Sequence, residues 1–286
     1  MMATGERGEQ TPPSGRGAGA SPRDKRISLA EAAALVQEGD TLALGGLTLY
    51  RRPVAFVRAL LRRPDPPRHL TLLALTAGFE SDLLVGAGLV ERVRTCYFGL
   101  EAFGLAPMFT QAAGEGRLTI VEETEASIAF GLRATLAGVS FMPGLGWLGT
   151  EMLSIRPDVK VIQDPYGEGE YVAFPAIACD VAVLHALRAD REGNAVLGGN
   201  LGIDQELAMA ARRVIVTAEE VVERLDEPLD LAGLVVDGVV PAPRGAWPTS
   251  CYPFYPLDGE ALLRYVEACP VHFADYLDAW LRGDDE

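Results

Sequence analysis

Lysine is almost missing from this chain of 286 residues: only Lys25 and Lys160 occur, against 23 arginines. Schiff-base chemistry in the body would have to use Lys160, which sits in Asp158-Val159-Lys160-Val161-Ile162 and reads as the solvent-side residue of a strand. No GxxxxGK[ST] loop is present, which excludes P-loop nucleotide hydrolysis. The four cysteines, Cys96, Cys179, Cys251 and Cys269, form no CxxC pair, and His69, His185 and His272 are equally scattered, so neither a disulfide framework nor a structural metal site is expected. No apolar run approaches the ~18 residues that cross a bilayer, because residues 85–90 are soon followed by Glu91, Arg92 and Arg94. Residues 1–26 are rich in Gly, Pro, Ser and Arg without a continuous apolar segment, so a cytoplasmic protein is expected rather than a secreted one.

What is present is acid and apolar bulk. The net charge is −15, and residues 1–26 carry five basic against three acidic side chains, leaving −17 for the remainder. So acidic a body repels nucleic acid and anionic membrane surfaces. With 49% hydrophobic residues the chain can bury a large core. Residues 1–26 are expected to be a disordered tail and residues 27–286 one folded domain.

The apolar patterning alternates between strand and helix. Ser28-x-x-Glu31 is a capping box before a helix over residues 29–37. A short strand over 41–44 ends in Gly45-Gly46, and a helix over 54–61 follows Pro53. Further strands fit 70–74, 93–97, 118–121, 139–142, 159–162, 181–184 and 214–217, with helices over 80–85 and 124–136. Most of these strands are continuous apolar runs, as a parallel sheet buried on both faces requires. The fold class is therefore α/β, an open, mostly parallel sheet covered by helices. Val235-Val236-Asp237-Gly238-Val239-Val240 predicts a late hairpin. Residues 241–256, rich in Pro and aromatics, predict an extended segment that wraps over something.

Several motifs have plain explanations. Gly144-Leu145-Gly146-Trp147-Leu148-Gly149 matches GxGxxG, but 31 glycines make such a match common, and Pro143 before it and Arg156-Pro157 after it spoil the strand and helix that a dinucleotide site needs. Asp180 and His185 stand at opposite ends of one strand, with Cys179 alongside, and predict a buried strand with a satisfied histidine rather than a nucleophile and base. Glu122, Glu123 and Glu125 surround the start of a helix, where carboxylates favour the positive end of its dipole. Glu101 differs: Tyr97-Phe98-Gly99-Leu100-Glu101-Ala102-Phe103-Gly104 puts one carboxylate among apolar residues just past a strand, with no Arg or Lys within six positions. Desolvation there would make it a better-tuned base or nucleophile.

That loop, together with Thr76-Ala77-Gly78-Phe79-Glu80-Ser81-Asp82, Gly45-Gly46 after the first strand, and residues 180–185 followed by Ala189-Asp190-Arg191-Glu192-Gly193-Asn194, resembles the A (alpha) subunit of class I coenzyme A transferases of the glutaconate type. The resemblance runs over residues 27–240. It implies the fold shared by coenzyme A transferases and ribose-phosphate isomerases, and a B subunit of similar size and fold as partner, in a heterodimer or heterotetramer.

It implies chemistry as well. An acyl-CoA and a free carboxylic acid exchange coenzyme A through a glutamyl-CoA thioester, with the nucleophilic glutamate on the partner, and no metal, NAD or pyridoxal phosphate takes part. This chain would then supply Glu101 as a catalytic carboxylate and an acyl pocket from Gly45, Gly46, Thr76, Gly78 and Phe79, the glycines letting backbone N–H groups approach the ligand. The family also includes hydrolases that open a ring in steroid-derived coenzyme A thioesters, and these resemble the chain around Glu101. In that alternative Glu101 takes part in adding water. A sugar-phosphate-sensing regulator would need a DNA-binding helix pair that this sequence does not show, and a nicotinamide enzyme rests on the weak glycine motif alone. The Pro- and aromatic-rich stretch 247–255 is the expected partner face.

Overall fold

The computed structural model describes residues 24–283. Seven strands form one parallel sheet in the order Gly238–Pro241, Ala211–Val222, Cys179–Asp190, Thr41–Leu44, Leu70–Leu73, Val90–Thr95, Thr119–Glu122, with Ala195–Val196 pairing antiparallel to Cys179–Asp190. Alternate residues of each strand enter opposite cores, as the period of two demands. Leu42, Leu44, Val181, Val183 and Ile215 face one layer of helices, while Ala43, Ala182, Leu184, Val214 and Val216 face the other. The expected α/β sheet, apolar on both sides, is the one found.

Local signals hold where side chains act on their own backbone. The Ser28 capping box closes as read, with the Ser28 hydroxyl accepting from the Glu31 amide and the Glu31 carboxylate accepting from the Ser28 amide at 2.8 Å. The helix Val54–Leu61 matches the expected span. Lys160 is exposed on its strand, as expected.

Two expectations are corrected. Phe141–Gly144 and Lys160–Gln163 are strands, but both pair antiparallel with Glu170–Pro175 in a separate three-stranded sheet packed on Trp147 and Phe174. The predicted Asp-Gly hairpin does not form: Asp237 turns the chain out of a 3-10 turn, Gly233–Val235, and Gly238–Pro241 joins the parallel sheet as its edge strand. The Asp237 carboxylate instead accepts from the Val214 amide at 2.8 Å, fixing that register. Residues 1–23 lie outside the described residues, so the expected tail is described only at its end. There Lys25 donates to the Gly233 and Val236 carbonyls at 2.6 and 2.8 Å, and Arg26 bridges to Val239. Among the described residues no helix is long and apolar enough to cross a membrane.

Candidate active site at the carboxyl edge of the sheet

Every strand of the parallel sheet points its carboxyl end to the same edge, where open α/β sheets place ligands. Three loops that follow neighbouring strands are stitched together there. The Thr48 amide donates to Thr76 Oγ1 at 2.7 Å, and Thr76–Ala77 pairs in parallel with Tyr97–Phe98. The sequence-predicted residues of the Gly45, Thr76 and Glu101 loops are thereby brought to one rim.

Two buried ion pairs hold the first loop. Arg51 donates to Asp204 Oδ2 at 3.0 Å and to the His185 carbonyl at 2.9 Å, and it adopts φ of 54° while fully buried. Arg52 places Nε and Nη2 on Glu80 Oε1 at 3.0 and 2.6 Å and Nη1 on the Gly46 carbonyl at 3.0 Å. Among the described residues Glu80 Oε2 is buried without a hydrogen-bond partner. Burial pushes the Asp204 carboxyl up, against the pull of the Arg51 charge.

The expected roles of several residues change in this setting. The Gly46 amide, expected to face the acyl group, donates instead to Asp204 Oδ1 at 2.9 Å, and its carbonyl is taken by Arg52. A Cβ on Gly46, where φ is 81°, would lie 2.5 Å from the Arg51 carbonyl oxygen, and one on Gly45 would lie 2.2 Å from Leu184 Cδ2. Both glycines are required by the close approach of chain to chain rather than by space for a ligand. Gly78 is similar, its hypothetical Cβ meeting the Thr48 carbonyl at 2.7 Å. The Phe79 ring is fully buried, edge-on to Tyr265 at 5.0 Å and to Trp280 at 6.0 Å, so it belongs to the core and not to a pocket wall. Replacing it as Phe79→Leu is expected to cost about 1 kcal/mol of stability with KM unchanged, measured by denaturant unfolding and steady-state kinetics side by side.

Glu101 stands apart from this satisfied interior. Its flanks turn inward: Leu100 is buried, Phe98 stacks on Phe109 at 4.2 Å, and the Phe103 ring comes within 3.3 Å of a Cβ built on Gly259. The carboxylate itself is exposed, and among the described residues no hydrogen bond or ion pair engages it. Desolvation by its own flanks, as expected from sequence, is therefore not what this chain alone provides. Its backbone is strained, with φ of 54°, a conformation that costs a non-glycine residue about 1–2 kcal/mol. The Glu101 amide donates to the Tyr97 hydroxyl at 3.2 Å, holding the turn.

A second carboxylate, Glu219, was not singled out from sequence. It lines a cavity of about 760 Å³ with Tyr255 and Arg244. His185, Tyr255 and the Arg244 amide all donate to it, His185 Nε2 at 2.8 Å and the amide at 2.6 Å, while His185 Nδ1 meets Thr217 Oγ1 at 2.8 Å. His185 is thus the satisfied buried histidine expected. Burial holds its pKa below the ordinary value despite the neighbouring carboxylate. Burial works to raise Glu219, but the His185 and Tyr255 hydrogen bonds prevail and hold it low. With its oxygens so occupied, Glu219 anchors the chain around residue 244 and has little capacity left to act as a base. Both depressed values have one sign: the unfolded state takes up the protons first, so stability present at neutral pH is lost as pH falls below the ordinary histidine value of about 6.5. The urea midpoint is expected to fall between pH 7.5 and 5.5, and His185→Gln is expected to flatten that fall.

Thiol and metal chemistry find little support at this edge. Burial pushes the Cys96 thiol up to about 11 and those of Cys179, Cys251 and Cys269 up to about 12. Among the described residues His185, Glu219 and Cys251 are grouped as a metal site would need, with ligand atoms within 4.8 Å of one another. Their histidine and carboxylate atoms already bond to each other, and the protonated thiol makes a poor ligand. The glycine motif 144–149 leaves an antiparallel strand and leads only to the four-residue helix Met152–Ile155, so it forms no dinucleotide cradle. Glu123 does more than favour a helix end, since it pairs with Arg94 at 2.7 Å and Arg156 at 2.9 Å. Within the stretch 247–255, Trp247, Thr249 and Cys251 are buried, and the exposed part is confined to Tyr252, Pro253 and Phe254.

Residues 26–241 match a family model described as coenzyme A transferase. The chain is 31% identical over 260 residues to the A subunit of 3-oxoadipate CoA-transferase from Pseudomonas knackmussii, covering 87% of this chain and 90% of that protein. It is 32% identical over 286 residues to the cholesterol ring-cleaving hydrolase IpdA subunit of Rhodococcus jostii, covering 93% and 95%. Its fold superimposes on the crystal structure of glutaconate coenzyme A-transferase from Acidaminococcus fermentans with a TM-score of 0.82 at 30% identity, covering 90% of this chain and 88% of that one.

Proposed function

The chain belongs to the coenzyme A transferase family, and from that premise we propose that it is the A subunit of a two-subunit enzyme that moves coenzyme A from an acyl-CoA to a free carboxylic acid. The observation that carries the reading is the family match across residues 26–241, shared with relatives named as A subunits. In this reading the partner's glutamate attacks the thioester carbonyl, giving an anhydride and releasing the coenzyme A thiolate. That thiolate attacks the glutamyl carbonyl, forming the enzyme thioester and freeing the donor acid. The acceptor carboxylate then reverses both steps.

Glu101 is the residue of this chain that we assign to the reacting centre. It is a carboxylate beyond the sheet's carboxyl edge, without a side-chain partner among the described residues and held in a strained turn. A B subunit seated over the rim would supply the missing desolvation, lowering the local dielectric around Glu101. Thr76 and the backbone of the 76–78 loop are proposed to line the acyl end.

The similarity to a ring-cleaving hydrolase subunit keeps one alternative, in which Glu101 activates water against a ring carbonyl of an acyl-CoA. The two are separated by supplying the assembled enzyme with acyl-CoA in the presence and absence of a free carboxylic acid. Transfer consumes acyl-CoA only with the acid and keeps the total thioester constant. Ring hydrolysis proceeds without the acid and alters the acyl skeleton. Thioester loss without an acceptor and without ring opening would contradict both.

A further inference from the structure

Positive side chains are segregated in this acidic protein. One cavity of about 620 Å³, between the helix Val54–Leu61 and the turn at residues 243–247, is lined among the described residues by Arg58, Arg62, Arg63 and Arg244 and by no carboxylate. Val54 and Trp247 supply apolar wall to it. The neighbouring cavity, which shares Arg244 and Trp247, has the opposite character, with Glu219, Glu220, Asp258 and Glu260 in its walls. In a chain of net charge −15, four arginines lining one hollow invite an anion there, with the Arg58 guanidinium itself lying over the Trp280 ring at 4.3 Å.

Arg244 is the member placed most deliberately. It is exposed, yet its backbone is held at φ of 56°, a conformation in which glycine or asparagine would be ordinary. The clamp is buried and specific: the Arg244 amide donates to Glu219 Oε2 at 2.6 Å, and Glu219 is itself fixed by His185 and Tyr255. The following residue cannot give way, because a Cβ on Gly245 would lie 2.5 Å from the Ala242 carbonyl oxygen and 2.8 Å from His185 Cε1. The Gly245 carbonyl accepts from the Ala55 amide at 2.8 Å, tying the turn to the helix that bears the other arginines. The Arg244 guanidinium lies over the Trp247 ring at 5.8 Å. Among the described residues Arg62 donates to the Leu281 carbonyl and Arg63 to the Ala33 and Val36 carbonyls, and neither is paired with a carboxylate.

We propose that this groove binds an organic phosphate, the phosphate group on the Arg244 and Arg62–Arg63 guanidinium groups and an apolar or aromatic body against Trp247 and Val54. Two sources share that chemistry: the phosphorylated nucleotide end of an acyl-CoA, which rests on the functional reading above, and a separate phosphorylated metabolite acting as an effector, which does not.

The test is calorimetric titration of the full-length chain with ADP and with pyrophosphate, repeated in the presence of coenzyme A. Arg244→Gly removes the guanidinium and relieves the positive φ, so its urea midpoint is expected to be unchanged or higher, which separates binding from folding. The unaltered chain is expected to bind ADP, Arg244→Gly to bind it at least ~10-fold more weakly, and Arg244→Lys to fall between, as loss of one charge-assisted contact implies. Displacement of ADP by coenzyme A assigns the groove to the substrate's nucleotide end, and undisturbed ADP binding assigns it to an effector; either supports the site. Absence of ADP and pyrophosphate binding at millimolar concentration, or equal binding by Arg244→Gly, overturns it. Because the readout is binding, failure of CoA transfer would leave this result standing.

Discussion

Arg52→Met is expected to destabilise the chain by about 3–5 kcal/mol, as removal of one member of a buried ion pair does. Both Arg52 and Glu80 are fully buried, and the guanidinium is shared between Glu80 Oε1 and the Gly46 carbonyl. Methionine fills much of the volume but leaves a charged carboxylate inside, whose Oε2 already lacks a partner among the described residues, and strands the Gly46 carbonyl. Ser81 Oγ, at 2.6 Å from Oε1, is the hydrogen bond that remains. The double variant Arg52→Met, Glu80→Leu is expected to recover a large part of the loss, because the charge that lost its partner is then gone too. Denaturant unfolding of the two single variants and the double checks this. A loss below 1 kcal/mol for Arg52→Met would mean that the buried pair adds little to the stability of the fold.

Glu101→Gln is expected to act on turnover without acting on the fold. The side chain is exposed and free of hydrogen bonds among the described residues, so stability should stay within about 0.5 kcal/mol of the unaltered chain. If Glu101 moves a proton at the reacting centre, kcat of the assembled enzyme falls by at least ~10². If it holds the acyl group while the partner carries the nucleophile, KM or acyl preference changes and kcat is largely kept. A variant neutral in both constants would remove Glu101 from the site. Glu101→Gly gives a second readout, since it relieves a φ of 54° and should raise stability by about 1 kcal/mol while removing the carboxylate.

These two residues show what sequence reading reaches and what it does not. The strand over 41–44, the helix over 54–61 and the Ser28 cap depend on neighbours in the chain, and each was legible from spacing alone. Partner choice is a different matter. Residues 141–144 and 160–163 have the right period for strands, but nothing local says that they pair antiparallel away from the main sheet. The Asp-Gly pair at 237–238 carries a hairpin signal that the long strand Ala211–Val222 overrides by offering a parallel neighbour.

The rim was legible in part. The loops read as one site, and the structure brings them together, while Gly46 and Gly78 also make room for the chain's own carbonyls. Phe79 reads like a pocket aromatic because it follows a glycine, whereas its ring packs on Tyr265 and Trp280, nearly two hundred residues away in sequence. Glu219 lies two residues past the strand read over 214–217, and only the alignment of two long strands brings it near His185. The Arg51-Arg52 pair after Gly45-Gly46 was an available signal, since two arginines between a buried strand and a buried helix need anionic partners inside.

The most direct measurement of the central claim is intact-mass analysis of both subunits after the assembled enzyme meets acyl-CoA without an acceptor acid. The account predicts a coenzyme A adduct on a glutamate of the partner, none on this chain, and discharge of the adduct when a carboxylic acid is added. An adduct on this chain, or full thioester turnover by this chain purified alone, would contradict it.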